Sequence, residues 1–252
     1  MVDFLNRKYE EYNRPAFIRT DPVQVPHLFS KKADIEIAGL FAALFAWGNR
    51  TTIINKAREL MALMDDAPHQ FVLQHEEKDL KRFLSFKHRT FNPTDLLYFL
   101  AFLQQHYRDA PSLETAFLRG MQRGDTDSTG ALNGFHRYFF SLEDAPARTR
   151  KHVAAPFRGS TCKRLNMYLR WMVRRDGRGV DFGIWKKISA AQLVIPIDLH
   201  VARVAQRLGI LEREAIDWQA ALQLTDWLRE LDADDPVKYD FALFALGVVE
   251  KF

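Results

Sequence analysis

The sequence predicts an all-α protein, on three observations. Apolar residues recur along most of the chain with helical periodicity, and strand-like alternation is scarce. Cap and breaker residues punctuate these periodic segments at helix-length intervals. The 252 residues are 47% hydrophobic, with 20 Phe and 5 Trp, which is material for one large core. No fixed-period repeat, low-complexity tract or linker divides the chain, so residues 1–252 are expected to form a single domain.

Each element has a local reason. Asp34 is placed to cap a helix whose residues Ile37, Leu40, Phe41, Leu44 and Phe45 share a face. A second helix runs from about Thr52 to Met64. Asn92-Pro93, a cap followed by proline, starts a helix reaching about Tyr107, and Ser112, after Pro111, starts another. Gly124 to Gly130 reads as a loop, and the helix after it takes in Phe135, Tyr138, Phe139 and Leu142. A basic stretch, Arg148 to Gly159, leads into a long helix from about Thr161 to Arg175, broken by Asp176-Gly177-Arg178-Gly179. A short helix is expected near Ile184 to Gln192. Asp198 caps the next one, which Gly209 closes as the left-handed residue past its end. Helices over Asp217 to Leu231 and Asp235 to Val249 complete the chain.

Composition narrows the function. The longest apolar run, Ile37 to Trp47, suits a buried core helix and is too short to cross a bilayer. Met1 to Lys8 carries charges with no apolar signal-peptide core behind them, so the expected compartment is the cytoplasm. A single cysteine, Cys162, leaves no internal disulfide framework, four-cysteine zinc site or all-cysteine iron–sulfur cluster. The eight histidines form no metal-ligand spacing. Net charge is only +4, but Arg148 to Lys187 holds twelve Lys/Arg against Asp176 and Asp181, and Glu212 to Asp240 holds nine acids against three bases. Two solvated faces of opposite sign would explain this; a phosphate-binding surface explains the basic segment better.

Two stretches carry chemistry. Gly159-Ser160-Thr161-Cys162-Lys163-Arg164-Leu165-Asn166 is a tight turn running into a helix, where free backbone N–H groups and the helix dipole suit a phosphate oxygen. An ammonium is disfavoured at such a place beside another cation, and a neutral amine is a nucleophile. Ile195-Pro196-Ile197-Asp198 puts an acid at a helix N-terminus, where a carboxylate that accepts backbone N–H bonds is held ionised and can stabilise positive charge on a sugar ring. Taken singly, a first-turn lysine is ordinarily a solvated side chain and such an aspartate an ordinary cap.

Together the two stretches resemble the helix-hairpin-helix DNA glycosylase superfamily. There a Gly-containing hairpin leads into a catalytic lysine, and a Val/Ile-Pro-x-Asp segment supplies a catalytic aspartate. Asp198 through Gly209 continues that match, and Lys163 and Asp198 fall at the two catalytic positions. Phe45 to Lys56 and Asp240 to Gly247 are more loosely similar to the segment near the lesion and to the closing helix. The two catalytic positions lie 35 residues apart, and the archaeal 8-oxoguanine DNA glycosylases, with their long insertion here, are the nearest relatives in pattern. Thr161 stands where the hairpin ordinarily has a second glycine, and Gly48-Asn49 where a glutamine ordinarily approaches the lesion. The chain is also similar to a conserved bacterial family without assigned function.

The resemblance implies two helical lobes with a cleft between, hairpin and catalytic segment within 156–209, and a monomer associated with the nucleoid. It implies a double-stranded DNA partner with a damaged base, no membrane and no cofactor. Lys163 would attack the sugar and Asp198 would assist, with Schiff-base lyase chemistry open. Arg158, Gly159, Ser160, Thr161, Arg164, Asn49 and Arg50 would hold DNA; Met167, Asp240 and Phe244 would enclose the base, 8-oxoguanine first. His200 and Cys162 are expected to be structural, and Trp47 to border the cleft. Two other readings stay open: a non-catalytic DNA-binding module, and a helical scaffold whose basic face meets an acidic protein.

Overall fold

The computed structural model describes residues 1–252. Its regular structure is helical throughout, with no strand and one isolated antiparallel bridge, His88 to Phe91. In chain order the helices are α1 (Val2–Tyr12), α2 (Pro15–Ile18), α3 (Lys32–Phe45), α4 (Arg50–Leu63), α5 (Pro68–Gln74) and α6 (Pro93–Asp109). They continue with α7 (Glu114–Leu118), α8 (Thr129–Phe139), α9 (Lys163–Val173), α10 (Leu199–Arg207), α11 (Trp218–Leu231) and α12 (Asp240–Val248). No helix is long and apolar enough to cross a membrane.

α3 is the central element, buried along nearly its whole length and packed against α4, α5 and α9. A second group gathers α1, α10 and α12, with α12 touching both of the others. One continuous apolar core joins the two groups. α7 and α8 approach so closely that a Cβ added at Gly134 would stand 2.3 Å from the Gly120 Cα, so both positions require glycine.

Several boundaries differ from the sequence reading. α3 begins before Asp34, whose carboxylate instead accepts the His69 N–H at 2.9 Å and so satisfies a free donor in the first turn of α5. Asn49 starts α4, accepting the Thr52 N–H at 3.1 Å. α7 starts at Glu114 because Ser112 Oγ is committed to Glu36 and to the Glu114 N–H. The loop before α8 stops at Ser128, so Gly130 is helical, and α8 ends at Phe139. The helix expected over 184–192 is a single 3-10 turn, Ala190–Gln192, and a 3-10 turn over Pro236–Tyr239 precedes α12. α1 has no counterpart in the sequence reading: only Leu5 and Tyr9 of its eleven residues are buried, too narrow a stripe to declare itself.

Two buried polar clusters brace this packing. The fully buried Glu36 of α3 accepts hydrogen bonds from Tyr107 Oη (2.8 Å), Ser112 Oγ (2.5 Å), the Leu113 N–H (3.1 Å) and Trp185 Nε1 (2.6 Å). Arg170 of α9 pairs with Asp181 and Asp240, and Arg174, just past the end of that helix, with Asp181 (3.0 Å), Asp176 (2.7 Å) and Asp235 (2.9 Å). This corrects the basic segment as a continuous phosphate surface. Arg170 lies on the buried face of α9 and Arg174 just past its end, and their charges are spent inside the protein. Arg150, Lys151 and Arg158 remain exposed beside the hairpin.

Candidate active site

The turn before α9 is built from two left-handed residues. Gly159 has φ +75° and Cys162, unusually for a non-glycine, φ +52°. Between them Ser160 Oγ accepts the Cys162 N–H at 3.1 Å, and Asn166 Nδ2 donates to the Thr161 carbonyl at 3.0 Å. The helix therefore starts at Lys163, two residues later than the sequence reading, and ends at Val173. No side chain caps it, so Lys163 stands on a helix N-terminus with unmet N–H groups. Burial pushes the Cys162 thiol up to about 12, which fits a packed residue rather than a nucleophile.

Asp198 caps α10 with one oxygen and faces Lys163 with the other. Its Oδ1 accepts the His200 and Val201 N–H groups at 2.9 and 3.0 Å. Its Oδ2 lies 3.5 Å from Lys163 Nζ, and both side chains are about one-quarter exposed, at 27% and 25%. Gly209 follows α10 with φ +70°, as its sequence position requires.

The pair opens on a cleft of about 520 Å³ between the start of α9 and the α3–α4 junction on one side and α10 and α12 on the other. Of the sequence-predicted residues, Ser160, Thr161, Arg164, Arg50, Met167 and Phe244 line it with Lys163 and Asp198. The Arg50 guanidinium lies over the Phe244 ring at 4.9 Å, with Nη2 buried and without a hydrogen-bond partner. Trp47 lines the cleft as expected. His200 lines it too, exposed and donating only its backbone N–H, so the structural hydrogen bond expected of its ring is absent.

Other expected residues lie apart. Arg158 and Gly159 are exposed outside the cleft, and the Asn49 side chain is occupied in capping α4. Arg164 borders the cleft, but its guanidinium donates to the carbonyls of Leu44 (2.7 Å) and Lys151 (3.2 Å), bracing the hairpin against α3. Asp240 borders a small void beneath the cleft, shared with Lys163, Met167 and Phe244, and its carboxylate is taken by Arg170. Sequence reasoning missed Asp21, which borders both cleft and void.

Burial pushes the Asp240 carboxyl up to about 6, against the pull of Arg170. An unfolded aspartate titrates near about 3.9. Between these values the folded protein holds a proton that the unfolded chain releases. The contribution is therefore fully present below about pH 4 and is lost as pH rises through about 6. Urea unfolding between about pH 4 and 7 is expected to show wild type losing stability relative to Asp240→Asn as pH rises. A constant difference across that range would mean that Asp240 is ionised throughout.

The cleft of this all-helical protein thus joins a lysine at the start of α9 to the aspartate that caps α10. Residues 21–249 match the family described as "Protein of unknown function (DUF2400)", and the chain belongs to that family. The matched span contains every residue that lines the cleft. No curated protein and no solved structure matches the chain.

Proposed function

We propose that the protein is a base-excision DNA glycosylase of helix-hairpin-helix fold with AP lyase chemistry, acting on oxidised purine in duplex DNA, 8-oxoguanine first. The observation that carries this reading is the 3.5 Å approach of Lys163 Nζ to Asp198 Oδ2, residues 35 apart in sequence, at a cleft of about 520 Å³. That volume is of the size that takes a small organic group. The exposed Arg150, Lys151 and Arg158 supply positive charge beside the hairpin for the DNA backbone.

In this mechanism the damaged nucleotide turns out of the duplex into the cleft. Asp198 Oδ2 takes a proton from Lys163, and the free amine attacks the anomeric carbon. A carbon–nitrogen bond forms to the lysine as the bond to the base breaks; the base leaves with the electron pair and is protonated. Ring opening, with a proton delivered to the ring oxygen, leaves the sugar as a Schiff base on Lys163. Loss of a proton from the adjacent carbon then expels the 3′ phosphate. Asp198, anchored by its cap bonds, passes the proton it took from Lys163 to the departing base and, ionised again, stabilises the cationic sugar.

Borohydride added during reaction reduces the Schiff base to a stable amine. An adduct between wild-type protein and 8-oxoguanine duplex that survives denaturing electrophoresis is the expected result. Tight duplex binding with no adduct on any lesion or on a bare abasic site would leave a binding module. Asp198→Asn keeps a good cap, so its unfolding midpoint should move by only a few tenths of a kcal/mol equivalent, while single-turnover excision drops by at least about 100-fold. A fully active Asn variant would reduce Asp198 to a cap.

A further inference from the structure

We infer that Asp21 is the residue that selects the base in this cleft, accepting hydrogen bonds from the adjacent ring and exocyclic N–H groups of a guanine-type edge. The inference rests on the glycosylase reading and names the specificity determinant of that same site. Asp21 is only 6% exposed, yet borders both the cleft and the void under it. Its Oδ1 accepts the Val23 N–H at 3.0 Å, holding the turn over Pro22–Gln24, and its Oδ2 accepts no hydrogen bond from the protein. No lysine or arginine pairs with it in direct contact; Arg170, Arg50 and Lys163 act on it from a distance.

A carboxylate buried there costs the fold, and beyond the Val23 N–H no ion pair or second donor repays it; its Oδ2 still reaches the solvent of the cleft. Glu36 and Asp181 show how this protein treats acids that serve packing: four donors converge on the first and two guanidinium groups on the second. Burial accordingly raises the Asp21 carboxyl. What remains is an acceptor in a cavity wall beside the candidate nucleophile. A guanine-type edge offers two neighbouring N–H donors, which the free Oδ2 and the second lone pair of Oδ1 can both accept. An adenine-type edge presents a ring lone pair at the same place, and two acceptors face to face repel. Leaving a buried acceptor unmet discriminates more strongly than a missing apolar contact does.

Three otherwise identical duplexes separate this inference from the reading beneath it: one with 8-oxoguanine, one with 8-oxoadenine, one with a bare abasic site. Wild type is expected to process 8-oxoguanine at least about tenfold faster than 8-oxoadenine. Asp21→Asn, which keeps the Oδ1 bond to Val23 but offers an NH2 in place of Oδ2, should lose about tenfold or more on 8-oxoguanine only. Its borohydride adduct with the abasic duplex, where there is no base to read, should stay within about twofold of wild type. An unchanged ratio between the two lesions, or an equal loss on all three duplexes, overturns the role of Asp21. If wild type forms no adduct even with the abasic duplex, the glycosylase reading fails. Asp21 is then decided by titrating 8-oxo-2′-deoxyguanosine against tryptophan fluorescence, Trp47 lining the cleft. Binding weakened at least about fivefold in Asp21→Asn supports an edge-reading carboxylate in a non-catalytic cleft, and unaltered or undetectable binding overturns it.

Discussion

Replacing Lys163 by Gln is expected to abolish the borohydride-trapped adduct and to lower single-turnover excision on the order of 10³-fold or more. The size follows from position. Lys163 is the first residue of α9, its Nζ 3.5 Å from Asp198 Oδ2, and no other lysine except Lys151 borders the cleft. Glutamine is close in length and cannot form a Schiff base. Duplex affinity should stay within a few-fold, because one phosphate contact at most is lost. Electrophoresis of the reduced reaction and a salt titration of binding read the two effects separately. An adduct that persists in Lys163→Gln would assign the attack to another amine, with Lys151 the first to test.

Glu36→Ala is expected to cost about 4 kcal/mol or more, a large part of the roughly 5–15 kcal/mol that holds a domain together. The loss is not one of volume alone. Four donors from three parts of the chain end on this carboxylate, namely Tyr107 on α6, Ser112 and Leu113 before α7, and Trp185 in the long segment after α9. Each donor left without an acceptor in the dry interior carries a penalty of roughly 1–3 kcal/mol. Glu36→Gln keeps one acceptor oxygen and should lose distinctly less. Urea midpoints of the two variants, with unchanged slope, test the ordering; equal midpoints would show that the donors find other partners.

How much of this was legible in the sequence depended on whether the cause was local. Asn92-Pro93, Asp198 and Asp217 all cap the helices that their sequence positions assign, since a cap and its N–H partners lie within a few residues. Asn49 carries the same signal before α4 and was placed instead with the DNA contacts. The lysine and aspartate were found by resemblance, because nothing in local spacing says that residues 35 apart will face each other. Charge counting failed at Arg170 and Arg174, since their partners Asp235 and Asp240 come from the other end of the chain. Asp21-Pro22 has the same cap-then-proline pattern, a local signal of a turn that has no counterpart in the sequence reading. That this turn closes the floor of the cleft is a matter of packing between distant elements, which no window on the sequence contains.

The helix shared by α1 and α10 has a consequence for how the protein is made. α12 packs between them, and its surroundings are fastened to the first helix by Lys8 to Glu250 (2.6 Å), Tyr12 to Glu250 (2.8 Å) and Asn6 to Tyr239 (3.1 Å). The first of these joins residues 242 apart in sequence. A chain emerging from the ribosome can begin packing α4, α5 and α9 on α3 early, although Arg170 and Arg174 still lack Asp240 and Asp235. α1 must wait with Tyr9 and Leu5 uncovered until α12, far along the chain, arrives. The wall that carries Asp198 waits with it, because α10 rests on that same helix. The cleft is thus completed only once α12 has joined the fold, and a nascent chain that lacks this helix holds its lysine and its aspartate without yet holding them together.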